Sequence, residues 1–344
     1  MLIENAGAGK KPTGVAEREL LVADAGEGEI SWENTLRPHT FSDFAGQDAV
    51  KDKLRIFVQA AVARKEPLDH VLLSGPPGLG KTTLARIIAE DLKAEIKVTS
   101  APALDRKGDL AAILTSLKPF SVLFIDEIHR LSRTVEEYLY TAMEDYYIDL
   151  VTGEGLGARA MRFQLAPFTL VGATTRAGLL SSPFLARFGI VERLQFYDRK
   201  SLEIILKRSC ELLQVRCESQ GLHEIARRSR GTPRIAQRLL KRVRDYAQVK
   251  GDGVISGAMS TYALDQLGVD QLGLDLMDRR ILQMIQDKFG GGPVGIETMV
   301  AALSEERDTI EEVYEPFLIQ EGLLQKTPRG RMITELAREH LQPK

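Results

Sequence analysis

One short stretch constrains the fold of this chain more than any other: residues 69–83, DHVLLSGPPGLGKTT. The apolar run at 71–73 is typical of a buried strand, and the glycines after it allow the backbone N–H groups to turn inward around an anion. The spacing matches G-x-x-x-x-G-K-[ST] at every position, and a helical pattern follows. A strand, a loop of this kind and a helix N-terminus together predict a phosphate-binding loop.

Each residue type in this loop has a chemical reason. Gly78 and Gly80 permit close approach of the backbone to phosphates, and Thr83 continues into a helix whose positive end faces the same anion. Lys81 supplies a charge for the β- and γ-phosphates, and the Thr82 hydroxyl is a ligand for Mg²⁺. The alternative, a chance glycine-rich turn, leaves the strand before the loop and the helix after it unexplained. We therefore predict a site for ATP with Mg²⁺.

Polar residues also follow two later strand patterns. The apolar run 122–125 is followed by Asp126 and Glu127, and the run 168–173 leads to Thr175. Ligands bind at the carboxyl ends of parallel strands, so these side chains are expected beside the phosphate loop. Asp126 would help to hold Mg²⁺, Glu127 would polarise the attacking water, and Thr175 would sense the γ-phosphate.

Composition limits the class of protein. The 344 residues, 44% hydrophobic and 27% charged, are ordinary for a globular chain of two or three domains. Net charge is only −2, yet residues 198–250 hold fourteen Lys or Arg against six Asp or Glu. This basic segment is either a set of solvated helix faces or a surface facing DNA or nucleotide. No apolar run reaches about 18 residues, so we expect a cytoplasmic protein without a membrane partner.

The sequence between the last two predicted strands of the core contains a hairpin pattern. Residues 147–151 and 160–165 alternate in polarity on either side of a glycine-rich tip. Its apolar candidates, Ile148, Leu150 and Met161, either pack inward or contact a partner protein.

Two arginines stand out after this hairpin. Arg187 lies between apolar residues, where it either pairs internally or projects into another subunit's site. Arg234 lies in the first turn of a helix that Thr232 and Pro233 begin, within a segment of helical pattern at 198–250. There it either reaches a bound nucleotide or faces solvent.

The C-terminal segment has the pattern of a winged helix. Helices are predicted at 276–289, 296–303 and 309–320, and short strands at 323–327 and 331–334. Such a domain binds the nucleic-acid backbone or, alternatively, another protein. The fold class predicted for the whole chain is therefore α/β, with a parallel-sheet nucleotide domain, a small helical lid and a winged helix.

These motifs carry a resemblance to a known family. GPPGLGKTT, LFIDEIHR, GATTRAG, RFG at 187–189 and GTPR resemble the nucleotide-site boxes, sensor 1, arginine finger and sensor 2 of AAA+ ATPases. LRPHTFSDFAGQ, MEDYYIDLVTGEG, EERDTIEEVYEPFLIQEG and TPRGR resemble the RuvB family of bacterial Holliday-junction branch-migration motors. The likeness runs from about residue 36 to the C-terminus, and residues 1–30, which we predict to be a disordered extension, lie outside it.

The resemblance implies an architecture and an activity. It implies a large ATPase domain at 31–197, a lid at 198–268 and a DNA-binding head at 269–344. It also implies an ATP-driven DNA motor acting in recombination, DNA repair and the SOS response to DNA damage. Such motors are homo-hexamers that pull duplex DNA from a four-way junction held by RuvA, and RuvC joins them in a resolvasome. A clamp-loader or initiator-type AAA+ switch remains the alternative, because it shares the same core motifs.

The resemblance further assigns residues that pattern alone does not. It places Arg187 in the neighbouring subunit's site and Arg234 in its own, and it gives the 147–165 hairpin to RuvA. The resemblance implies that the residues lining the nucleotide are Leu36, Arg37, Glu144, Asp145, Tyr146 and Tyr197. It implies that the residues contacting DNA are Arg307, Lys326, Arg329 and Arg331. Family members often carry Arg at position 326, and lysine there keeps the charge without the fork geometry.

Overall fold

The computed structural model describes residues 35–152 and 159–342, so the predicted disordered extension lies outside the described residues. The chain divides into two compact units. The core unit is Arg37–Ile204, and the lid-head unit comprises the chain from Ile205 together with Leu36. Because lid and head fall within one unit here, the three-domain division at 31–197, 198–268 and 269–344 stays a prediction.

The core unit alternates helices and strands. In chain order it contains α1 (Asp48–Arg64), β1 (Val71–Ser74), α2 (Lys81–Asp91), β2 (Ile96–Ser100), α3 (Lys107–Thr115), β3 (Val122–Asp126), α4 (Arg133–Asp145), β4 (Tyr147–Thr152), β5 (Arg159–Gln164), β6 (Thr169–Thr174), α5 (Ser182–Leu185), β7 (Ile190–Arg193) and the start of α6 (Arg199–Leu212). Within the described residues, five strands form a sheet in the order β2-β3-β6-β1-β7, and every neighbouring pair is parallel.

The burial of the central strands explains why their sequences are uninterrupted apolar runs. Val71, Leu72 and Leu73 of β1 are fully buried, as are the four apolar residues of β3. A parallel sheet is covered on both faces, and burying each such side chain stabilises the folded state by about 1.5–3 kcal/mol. Register pairs Ser74 with Thr174, so β1 and β6 end side by side. The sheet edge therefore gathers the loops that follow β1, β3 and β6.

A buried histidine lies at the opposite edge of the sheet, where β1 and β6 begin. The N–H of Leu170 donates to His70 Nδ1 at 2.9 Å, and His70 Nε2 donates to the Met143 carbonyl at 3.0 Å. Burial lowers the pKa of His70, with the Met143 contact opposing it, so the neutral ring joins β6 to α4.

The predicted hairpin exists as the antiparallel pair β4 and β5. Ile148 is fully buried in the core of the unit and Leu150 is partly buried against it, whereas Met161 is 50% exposed. A side chain inside the core has no surface to offer, so we drop Ile148 from the partner contact. Ile148 packs inward, whereas Leu150 and Met161 remain candidates for the contact with a partner.

The lid-head unit is helical, with a small hairpin near its end. It contains the rest of α6, then α7 (Ser219–Arg227), α8 (Pro233–Lys250), α9 (Gly257–Gln266), α10 (Leu276–Phe289), α11 (Ile296–Leu303), α12 (Arg307–Thr309), a π-helical turn (Ile310–Tyr314), α13 (Glu315–Gln320), β8 (Leu324–Thr327), β9 (Gly330–Ile333) and α14 (Glu335–Leu341). Ile281, Phe317 and Ile333 share one buried cluster, so the helices and the hairpin from α10 onward pack around a single core. The helices and strands predicted for a winged helix are confirmed. No helix in the described part of the chain is long and apolar enough to span a bilayer.

Candidate nucleotide-binding and active site

The loop between β1 and α2 is already folded as a phosphate cradle. Gly80 has φ +99°, and a Cβ there would lie 3.0 Å from the Phe44 ring, so only glycine fits. Lys81 is 7% exposed, and its Nζ donates to the carbonyl oxygens of Gly75 at 2.7 Å and Pro76 at 3.0 Å. A buried ammonium group held over a glycine loop at a helix N-terminus fits phosphate oxygens as ligands.

The oxygens predicted to support a divalent cation lie together. Thr82 Oγ1 donates to Asp126 Oδ2 at 3.5 Å, and Asp126 Oδ1 accepts the backbone N–H of Glu127 at 3.0 Å. A hydroxyl and a carboxylate are the oxygen donors that hard divalent cations prefer. These two residues therefore fit a metal that is shared with nucleotide phosphates.

The carboxylate of Glu127 is positioned from two sides. Thr175 Oγ1 donates to Glu127 Oε2 at 3.4 Å, and His129 Nδ1 lies 3.2 Å from the same oxygen. Thr174 Oγ1 is 3.1 Å from that ring nitrogen. The sequence alone offers no evident partner for His129 and predicts a structural role for it. The ring lies between Glu127 and Thr174, and the contact with Thr174 depends on the pairing of β3 with β6.

An aromatic residue borders the phosphate loop on its other side. Tyr197 is buried, and its hydroxyl donates to the Leu79 carbonyl in the phosphate loop at 3.1 Å. Burial raises the pKa of Tyr197, so the phenol remains a donor. Tyr197 thus lies along the phosphate loop, and its contact with the nucleotide stays a prediction. Leu36 and Arg234 belong to the lid-head unit, so their roles stay predictions, as does that of Arg37.

Arg187 lies at the surface of the core unit. Its side chain is 28% exposed, and its Nη2 donates to Glu144 Oε2 at 2.9 Å. Nη1 donates to the Pro183 carbonyl at 2.9 Å, and the guanidinium stacks 4.9 Å from the centroid of the Tyr140 ring. The predicted 144–146 segment therefore borders the arginine, with Glu144 on the last turn of α4.

The whole described chain matches one family. Residues 36–194 match the model of the Holliday junction DNA helicase RuvB P-loop domain. Residues 197–270 match the RuvB AAA lid domain, and residues 271–342 match the RuvB C-terminal winged helix domain. A curated relative from Bdellovibrio bacteriovorus, the Holliday junction branch migration complex subunit RuvB, is 75% identical over 319 residues, 93% of this chain and 97% of its own length. The chain belongs to the RuvB family.

Solved RuvB structures share the fold. A K64R mutant of Thermotoga maritima RuvB is 52% identical with a TM-score of 0.83, covering 89% of this chain and 98% of its own. A structure described as the Thermotoga maritima RuvB Holliday junction branch migration motor is 51% identical with a TM-score of 0.82, covering 90% and 99%. The predicted α/β class with AAA+ domain, lid and winged helix is confirmed, and the family is one of P-loop ATPases. These similarities support the RuvB interpretation over the clamp-loader or initiator alternative.

The basic residues of the RuvB-type winged helix fall into two groups. Arg307, Lys326 and Arg329 are exposed. Arg331 is not: its side chain is 7% exposed, with Nε donating to Glu315 Oε1 at 2.5 Å and Nη2 to Glu311 Oε1 at 2.9 Å. In this arrangement Arg331 lies beneath the wing and holds it onto the helix.

The acids beneath the wing are shared with the exposed cations. Glu311 lies 3.3 Å from Arg307 Nε and 3.7 Å from Lys326 Nζ. Although burial opposes it, the hydrogen bonds from Arg331 and Arg307 lower the pKa of Glu311. The carboxylate therefore stays ionised at neutral pH and fixes the positions of the exposed cations.

Proposed function

We propose that this chain is the ATP-driven motor of Holliday junction branch migration in recombination and repair. It would work as a homo-hexameric ring that moves duplex DNA together with RuvA. The observation that carries the proposal is the position of Arg187, which lies at the surface of the core unit beside Glu144. A charged fork held at a surface is placed to complete a site on another subunit.

The chemistry of one site follows from its residues. The N–H groups of the loop and the Lys81 ammonium bind the phosphates, while Thr82 and Asp126 hold the cation, which we propose is Mg²⁺. When bound, that cation neutralises phosphate charge. Glu127 Oε2 accepts a proton from the attacking water, and Thr175 and His129 keep this oxygen in place. Arg187 of the neighbouring subunit stabilises the charge that develops on the transferred phosphoryl group.

The neighbour's nucleotide would also meet the segment that precedes the hairpin. Glu144 and Arg187 form an ion pair at 2.9 Å, so they belong to one surface. We infer that residues 144–146 border the nucleotide across the subunit interface, together with the arginine. Assembly would then replace Glu144 as the partner of Arg187 by phosphate oxygens.

The head would hold DNA by its backbone. Arg307, Lys326 and Arg329 are exposed cations. Contacts to phosphate oxygens carry no sequence information, which suits a motor that must pass over any sequence. The β4–β5 hairpin, with Met161 exposed, would dock RuvA, and RuvC would join on the same junction. A motor of this kind works where the chromosome is, in agreement with the expected cytoplasmic location.

The test is a junction-dissociation assay. A four-way junction with homologous arms is incubated with RuvA, this protein and ATP, and the duplex products are counted. Products are expected only when RuvA and hydrolysable ATP are both present, because movement requires turnover. ATP-dependent binding of the junction without product would instead identify a switch of the clamp-loader type and overturn the proposal.

Substitutions in the head should separate DNA contacts from structural ones. Lys326→Ala and Arg329→Ala are each expected to weaken duplex binding equally for all sequences and to lower the slope of log K against log salt by about 0.9. Arg331→Ala is expected to destabilise the head by up to about 3–5 kcal/mol, because the buried Glu315 would keep only its 3.6 Å contact with Lys326.

Fluorescence anisotropy over a range of salt, on two duplexes of unrelated sequence, measures the first effect, and thermal unfolding measures the second. A loss that differs between the two duplexes would contradict backbone binding. Unchanged stability of Arg331→Ala would contradict the structural role of that side chain.

A further inference from the structure

Arg230 is a buried arginine that joins the lid to the head. It lies in the turn between α7 and α8, its side chain is 4% exposed, and its Nη2 is 2.9 Å from Asp275 Oδ2 and 2.5 Å from Asp278 Oδ2. Both acids belong to the start of α10, where they form a capping box. The guanidinium also lies 5.0 Å from the centroid of the Phe317 ring. One lid side chain thus contacts the first and later helices of the winged helix.

The linker between lid and head is held from both sides. Arg230 Nε donates to the Gly273 carbonyl at 3.0 Å, and Arg227 Nη1 donates to the Gln271 carbonyl at 2.9 Å. From the head, Arg279 Nη2 donates to the Gly268 carbonyl at 2.8 Å. Gly273 has φ +84°, and a Cβ there would lie 2.8 Å from the Arg228 carbonyl oxygen. Side chains and close backbone packing therefore restrict this linker.

The charged groups of Arg230 and Asp278, where the lid meets the head, are almost completely removed from water. Asp278 is fully buried, and among the described residues Arg230 Nη1 and Asp278 Oδ1 are buried atoms without a hydrogen-bond partner. Burial raises the pKa of Asp278, and the nearby Arg230 opposes that effect. A buried ion pair with unused hydrogen-bonding atoms contributes little net stability, so its value to the protein lies elsewhere. Fixing the geometry between two domains is such a use.

The same turn leads directly into the residue expected to sense nucleotide. Arg230 has φ 53°, Gly231 follows with φ 65°, and α8 begins at Pro233 with Arg234 next. Thr232 Oγ1 donates to the Ser229 carbonyl at 3.2 Å, which closes the turn. A displacement of the start of α8 is therefore expected to move Arg230 as well, because Arg230 lies only four residues before Arg234 in the same closed turn.

We propose that Arg230 is a positioning residue that makes the lid and the winged helix move as one body, so that nucleotide state sensed at Arg234 reaches the DNA-contacting head. The inference rests on the proposed motor function. Arg230 contacts neither ATP nor DNA. Its role is to pass motion between the two, through Asp275 and Asp278.

The test compares movement per ATP. Arg230→Met and Asp278→Asn cut the lid-to-head pair, whereas Asp265→Asn removes a partner of the neighbouring buried Arg228 within the lid and serves as the control. Both cutting variants should lower the number of junctions dissociated per ATP hydrolysed about tenfold, a common size for one coupling energy, with DNA-free hydrolysis retained. The control should keep the parent's ratio. A merely structural loss would lower hydrolysis and movement together and leave the ratio unchanged.

A distance measurement in the parent chain tests the rigid body independently of the movement assay. Nitroxides are attached through Val249→Cys in α8 and Leu336→Cys in α14, both exposed positions, in a Cys217→Ser background. The mean distance between the two spin labels should be the same with ADP and with a non-hydrolysable ATP analogue. In Arg230→Met the distribution of distances should become broader. A distance that changes with nucleotide in the parent chain, or an unchanged movement-per-ATP ratio in a folded cutting variant, would overturn the inference. A parent protein that dissociates no junctions would instead count against the motor function.

Discussion

Replacing Lys81 by alanine is expected to raise the Kd for ATP by about 10²- to 10⁴-fold and to abolish hydrolysis. The Lys81 ammonium is buried and now donates to the carbonyl oxygens of Gly75 and Pro76. On binding it would donate to phosphate oxygens. Each hydrogen bond to a charged group contributes about 1.5–3 kcal/mol, so two of them contribute about 3–6 kcal/mol. Since each 1.4 kcal/mol is tenfold in affinity, the loss covers the stated range.

Titration calorimetry with ATP measures this change directly. Lys200→Ala is the matched control, because Lys200 is an exposed lysine of the same unit at the start of α6. It should bind ATP like the parent. Circular dichroism establishes that Lys81→Ala is folded. ATP affinity in that variant equal to the parent's would refute the assignment of the phosphate loop.

The sequence predicts those parts of the fold that depend on local patterns of residues. The phosphate loop, the apolar run of β3 and the helix α2 after the loop depend on residues that are close along the chain, so periodicity and glycine spacing reveal them. The winged helix was predictable for the same reason. The β7 strand could not be predicted in this way, because Val191 and Arg193 are exposed and two of its four residues are charged. Only pairing with β1 makes it a strand.

The parts of the site that the sequence missed depend on contacts between distant residues. His129 reaches Thr174 because β3 and β6 are neighbours in the sheet. Arg331 reads as a surface cation in its sequence, yet Glu311 and Glu315 bury it. The sequence around an arginine does not reveal which distant residue it pairs with. Exposure and pairing are tertiary properties, so residue type alone left both alternatives open for Ile148 and Arg187, and it did not reveal that Arg331 is buried.

Replacing Arg187 by alanine is expected to preserve ATP binding and to reduce turnover by about 10³- to 10⁵-fold, the usual contribution of an arginine finger. The residue makes its contacts with Glu144, Pro183 and Tyr140, outside the phosphate loop, so its removal leaves the binding groups intact. Arg187→Lys should recover little of the activity, because a single ammonium lacks the planar fork that two phosphate oxygens accept. Steady-state hydrolysis and ATP titration together separate these effects.

Mixing two inactive variants decides whether this arginine acts on a neighbour. In a ring of Lys81→Ala and Arg187→Ala subunits, a phosphate loop from the second kind can face an intact arginine from the first. With equal amounts and random head-to-tail assembly, about one interface in four is then complete, and hydrolysis should reappear on mixing. A chain carrying both substitutions, mixed with Arg187→Ala, forms no complete interface and should give none. Failure of the first mixture to recover activity would place the arginine in its own subunit's site, and turnover would then no longer depend on ring assembly. Recovery in the second mixture, which contains no Arg187, would show that turnover does not require this arginine at all.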